Sequence, residues 1–138
     1  MPPSPAEEAW ELFWRIFRDD KPRRRAVFSE LGLSFQQAMA LGHLEADEPL
    51  PMSALAGALQ CDNSNVTGIV DRLEAAGLAE RRPAERDRRV KTVVLTPHGE
   101  AVRNKVRRRA GTPPPEIARL SAADAEQLRE ILQRALDG

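Results

Sequence analysis

The sequence predicts a mainly α-helical fold with one small β-hairpin. Three observations carry that expectation. Apolar residues recur at helical spacing in six separate stretches, a run at 90–95 alternates with period two, and capping or helix-breaking residues stand at the boundaries between them. The 138 residues suffice for one domain with a real core, or for a small domain with helical extensions.

The first helix spans residues 6–18. Trp10, Phe13, Trp14 and Phe17 form its i, i+3, i+4, i+7 stripe, and Leu12 and Ile16 widen the apolar surface beyond what packing on one side requires. DDKPRRR then breaks the pattern, with Pro22 marking a helix end or kink. A second helix begins near Ser34, a natural N-cap, and runs through FQQAMALGHLEA; DEPLP reads as a loop. A short helix from about Met52 to Gln60 presents Leu55, Ala56 and Leu59 inward. After the turn at CDN, Asp62 or Asn63 caps a helix that runs to about Ala76, with Val66, Ile69, Val70 and Leu73 inward and Gly77 as its stop. Leu78–Arg82 and Val90–Leu95 read as strands. Val90, Thr92 and Val94 would share one face, and Lys91, Val93 and Leu95 the other. Thr96 and Pro97 suit the N-cap and first position of a helix ending near Arg109, before Gly111 and the prolines 113–115. A last helix from about Ser121 to Leu136 carries Ala125, Leu128, Ile131, Leu132 and Leu136 on one side, expected to face inward.

Composition narrows the function classes. Hydrophobic residues make up 41% and charged residues 30%, which suits a helical protein free in solution. No apolar run approaches the roughly 20 residues that span a bilayer, and the Pro-rich, acidic start is no secretory signal. The single cysteine, Cys61, excludes an internal disulfide framework and fits a reducing cytoplasm. With only His43, His98 and Cys61 as soft ligands, none at ligand spacing, neither a metal nor another cofactor is expected. No Ser-His-acid set, glycine-rich phosphate loop or carboxylate pair suggests an enzyme. Cys61 reads as a small buried residue rather than a thiol sensor.

The net charge of zero conceals an asymmetry. Between Arg81 and Arg109 eleven Lys or Arg face three acids, a local balance of +8. Such a distribution suits one face presented to phosphates, although a solvated surface gives the same count. The run 62–96 is a short helix feeding a hairpin whose tip is rich in arginine. A helix with polar residues at its leading end can enter a major groove, and a basic hairpin beside it can reach the adjacent minor groove. Asn63, Ser64, Asn65 and Thr67 would supply donors and acceptors to base edges. Arg72, a turn later, suits a phosphate better than a base, with a salt bridge inside the domain as the alternative.

A helix-turn-helix followed by a basic hairpin is a winged helix, and the detail narrows further. NVTGIVDRLEAAGLAERRPAERDRRVKTVVLTPHG resembles the MarR family of bacterial transcription regulators, with its VDRLE-x-x-G-L segment, R-x-x-x-x-DRR wing and LT-x-x-G helix start. Val70, Asp71, Arg72, Leu73, Glu74, Gly77, Leu78, Arg82, Asp87, Arg88, Arg89, Leu95, Thr96 and Gly99 occupy those places. The resemblance is strong over about 34–100 and architectural elsewhere. It implies a winged helix-turn-helix at 34–100, an N-terminal dimerisation helix and linker at 1–33, and C-terminal dimerisation helices at 101–138, in one compact chain. It further implies a homodimer on double-stranded DNA with a pseudo-palindromic operator, most simply a repressor. An architectural or protein-interaction module is the alternative. At the wing it implies that Arg89 or Arg88 reaches the minor groove while Asp87 braces the loop through an ion pair; Arg86 is a further candidate or merely solvated. Gly68 departs from the larger side chain of many relatives, which allows close backbone approach and removes a possible base contact. A small aromatic or phenolic effector is also implied, with Trp14, Phe17, Met39 and His43 as candidate pocket residues.

Overall fold

The computed structural model describes residues 1–138, which fold as two compact units: Arg23–Ala110, and Met1–Pro22 with Gly111–Gly138. The elements run α1 (Pro5–Asp19), α2 (Lys21–Glu30), α3 (Phe35–His43), β1 (Leu50–Pro51), α4 (Met52–Ala58), α5 (Asn63–Ala75), β2 (Ala79–Pro83), β3 (Lys91–Leu95), α6 (Pro97–Ala110), α7 (Pro115–Ala118) and α8 (Ala122–Asp137). No helix is long and apolar enough to cross a membrane.

The architecture is mainly helical with a small three-stranded antiparallel sheet in the order β1-β3-β2. Register pairs Ala79 with Leu95 and Pro83 with Lys91 in the hairpin, and Leu50 with Val93 on the other edge. The core of the central unit lies among α3, α4, α5 and the sheet, where Leu41, Leu44, Leu55, Val66, Val70, Leu73, Val93 and Val94 are fully buried. Truncating any of those leucines to alanine would cost roughly 2–5 kcal/mol.

Three elements differ from expectation, each for a local reason. Residues 21–30 form a helix where a basic linker was expected. Pro22 stands in its first turn, where no intrahelical N–H is required, and only Phe28 is buried, so the apolar periodicity is faint. Leu50–Pro51 of DEPLP adds an edge strand, a position that tolerates proline. Pro115–Ala118 makes one extra helical turn directly after the prolines. The two-faced pattern expected for β3 is absent as well. Thr92, Val93, Val94 and Leu95 are all buried, because β3 is the central strand, and the Thr92 hydroxyl is satisfied by the Arg82 carbonyl at 2.8 Å.

Helix ends follow their capping residues. Ser4 and Ser34 each build a reciprocal capping box, with Glu7 and Gln37. Gly77, at φ 74°, closes α5: its N–H donates to the Glu74 carbonyl at 2.9 Å, and that of Leu78 donates to Leu73 at 2.9 Å. The start of α6 is locked onto that same turn. The Thr96 hydroxyl donates to the Gly77 carbonyl at 2.6 Å and accepts from the Gly99 N–H at 3.0 Å. A Cβ on Gly99 would sit 1.7 Å from the Leu78 carbonyl oxygen, so only glycine fits there.

In the terminal unit, α1 carries an aromatic ladder. Trp10 stacks on Phe13 with ring centroids 5.4 Å apart, and Trp14 meets Phe17 edge-on at 5.6 Å. No residue of α1 or α8 is buried within the chain. Ile131, Leu132 and Leu136, expected to point inward, lie open instead, because no apolar surface of the chain covers them.

Candidate nucleic-acid interface

Asp62 opens α5. Its carboxylate accepts from the Asn65 N–H at 2.8 Å and from the Ser64 hydroxyl at 2.8 Å. These bonds, the backbone one foremost, hold the Asp62 carboxyl below its ordinary pKa. The cap points α5 outward with Asn63, Ser64, Asn65, Thr67 and Arg72 all exposed and the apolar stripe underneath. The hydrogen bonds divide these residues into two sets. Ser64 is engaged with Asp62, and the Thr67 hydroxyl donates to the Asn63 carbonyl at 2.8 Å. The side-chain amides of Asn63 and Asn65 and the Arg72 guanidinium bond nothing within the chain.

Beside α5 runs the hairpin. Asn63, Val66 and Thr67 line one groove of about 250 Å³ together with Met52 and Ser53 of α4 and with Val90 and Lys91 at the root of the wing. At the tip, one oxygen of Asp87 accepts from the Arg89 N–H at 3.0 Å and from Arg89 Nε at 3.2 Å, while the Arg89 side chain stays 92% exposed. The carboxylate thus closes the turn around Arg89. Arg86 and Arg88 project from the same tip with no partner in the chain. Arg82 pairs with Glu80 along its own strand.

Two residues missing from the sequence reading hold this arrangement together. Arg81 on β2 reaches back to α5, where its guanidinium binds Asp71 at 2.7 Å, Glu74, and the Thr67 carbonyl at 3.3 Å. Burial disfavours its charge, but the hydrogen bonds and charges of Asp71 and Glu74 outweigh that and hold its pKa above the ordinary value. One side chain therefore ties wing to helix and neutralises acids on the helix. The second residue, Arg103 of α6, is buried and donates from Nη1 to the Leu44 carbonyl at 2.7 Å and to Glu45 at 2.8 Å. It binds α6 to the C-terminal end of α3, where a cation also suits the helix dipole. A sequence signal existed for Arg103: it shares the buried stripe of Gly99, Val102 and Val106.

The four candidate ligand residues divide between the units. Trp14 and Phe17 belong to the terminal one, Met39 and His43 to the central one. His43 is exposed at the last turn of α3. Met39 borders an apolar hollow of about 390 Å³ with Phe35, Leu59, Cys61 and Ile69. Cys61 is half-buried there rather than enclosed.

A family model described as the MarR family matches residues 31–90, the stretch that holds α5 and the wing tip. Over that stretch the chain is similar to the MarR family. Among curated relatives, it is 39% identical over 83 residues to the HTH-type transcriptional regulator PecS of Dickeya dadantii, covering 58% of this chain and 50% of PecS. It is 29% identical over 99 residues to the HTH-type transcriptional regulator YfiV of Bacillus subtilis, covering 72% of this chain and 62% of YfiV. The chain thus spans about half to three-fifths of the length of these relatives. Among solved structures, the apo form of wild-type MarR from E. coli superposes with a TM-score of 0.74 at 22% identity, covering 91% of this chain and 95% of that one. The S. aureus MepR–DNA complex gives 0.64 at 22% identity, covering 92% and 97%. These likenesses establish the winged-helix fold.

Proposed function

We propose that this chain is a transcriptional regulator of the MarR family that binds double-stranded DNA as a homodimer, acting as a repressor on a pseudo-palindromic operator. One observation carries the reading. The free amides of Asn63 and Asn65 and the free guanidinium of Arg72 lie on α5, whose leading half shares a groove with the root of a wing that ends in Arg86, Arg88 and Arg89. Polar side chains left unpaired on a helix, beside a cationic tip whose Arg86 and Arg88 have no partner in the chain, are what base edges and a narrow minor groove require. Charge agrees. The central unit holds 15 Lys or Arg against 11 acids, a net +4, and the terminal unit 6 against 10, a net −4. The transcriptional-regulator names of PecS and YfiV, and the DNA held by MepR, support the assignment.

Asn63 and Asn65 would read bases, with Ser64 and Thr67 beside them, while Arg72 would hold a phosphate. Arg88 and Arg89 would enter the minor groove, the Asp87 brace presenting Arg89, with Arg86 on the flanking phosphates. A small aromatic or phenolic molecule would release the protein, and the hollow beside Met39 has a volume in the range of small-ligand sites. Mobility shift on the protein's own promoter DNA tests the core claim, with scrambled DNA as competitor. Arg88→Ala and Arg89→Ala should each weaken binding by about 1–3 kcal/mol and flatten its salt dependence. Equal binding to promoter and scrambled DNA would instead favour an architectural role.

A further inference from the structure

The middle of α5 contains a glycine that nothing inside the chain asks for. Glycine disfavours a helix interior relative to alanine, so a mid-helix glycine calls for a reason. Conformation is not the reason, since the glycines with positive φ are Gly32 and Gly77 and Gly68 is not among them. Packing is not the reason either: a Cβ on Gly68 would meet nothing within 4 Å, in contrast to Gly99. Gly68 lies on the side of α5 opposite buried Val66, Val70 and Leu73, one turn after Ser64 and one turn before Arg72. Its neighbour Thr67 has its hydroxyl turned back to the Asn63 carbonyl, so that side chain has no free proton to donate. What remains at this point is bare backbone in the outer face, with open space in front of it.

We infer that Gly68 is a specificity-determining position, at which the C5-methyl edge of a thymine lies directly against the α5 backbone. Thymine is the one base that carries an apolar group on its major-groove edge, and a bare Cα beside a threonine without a free donor matches it. The inference rests on the DNA-binding reading above and adds to it the chemistry read at one position.

The experiment starts with the full-length protein selecting its site from random duplex DNA. Gly68→Ala should then raise Tm by roughly 2–6 °C, because the helix gains propensity in open space. The same variant should bind the selected site at least about fivefold more weakly. Replacing thymines one at a time by deoxyuridine removes only the methyl group. One such replacement per half-site should weaken the unsubstituted protein about fourfold, the worth of one buried methyl, and leave Gly68→Ala nearly unaffected. A higher Tm with unchanged affinity would overturn the inference while leaving the proposed function intact. A lower Tm would overturn its open-space premise. Failure of the unsubstituted protein to select any site would overturn the DNA-binding reading itself.

Discussion

Gln60 holds a φ of 53° in the turn between α4 and α5, in the left-handed region where a side chain is strained. The turn needs that conformation: the Gln60 N–H closes on the Gly57 carbonyl at 3.2 Å, and the Cys61 N–H closes on Ala56 at 3.1 Å. Gln60→Gly should therefore raise unfolding stability by about 0.5–1 kcal/mol, read as a higher urea midpoint with an unchanged slope. Nothing in Leu-Gln-Cys announced the turn residue, because glutamine is an ordinary helix former and the left-handed conformation is imposed by the next helix. Asp62, two residues on, was legible as a cap from its place before an apolar period. Its carboxyl, held below the ordinary 3.8, stabilises the fold at and above that pH. That contribution is lost as pH falls through the depressed folded-state value. A carboxyl-carbon NMR titration should place the Asp62 midpoint below 3.8, and Ser64→Ala should move it upward.

Between elements, the contacts that set geometry are the junction of α5 with α6 and the bridge of Arg81. Gly99→Ala forces a methyl group into the Leu78 carbonyl and should destabilise by more than about 3 kcal/mol, seen as a lowered Tm with loss of soluble protein. Gly68→Ala, the same substitution in open space, is the matched control. The LT-x-x-G spacing was readable because Thr96 and Gly99 serve a local turn, and local turns leave short patterns. Arg81 was not readable, because its partners Asp71 and Glu74 lie across a strand-to-helix packing that no periodicity reports. Helix α5 and the hairpin were legible for the reason that α2 and β1 were not. An amphipathic stripe or an alternating run writes burial into the sequence, whereas α2 buries only Phe28 and β1 has two residues.

At the scale of the molecule, the open question is what the aromatic and aliphatic faces of α1 and α8 meet. Trp10, Phe13, Trp14 and Phe17 are 44–58% exposed in the single chain, and the homodimer proposed above would cover them. Phe13→Glu should then yield a monomer by sedimentation while far-UV circular dichroism keeps its helical amplitude. Operator affinity should fall by about a hundredfold or more, because two half-sites would no longer be held together. A dimer undisturbed by that charge would place the subunit interface elsewhere. The same ladder also makes the protein its own optical probe. Both tryptophans sit on α1 and the chain has no tyrosine, so intrinsic fluorescence reports on the terminal unit alone, whereas circular dichroism sums over every helix. Melting curves recorded by the two signals will coincide if the units unfold together and separate if they do not, without a label or a truncated chain.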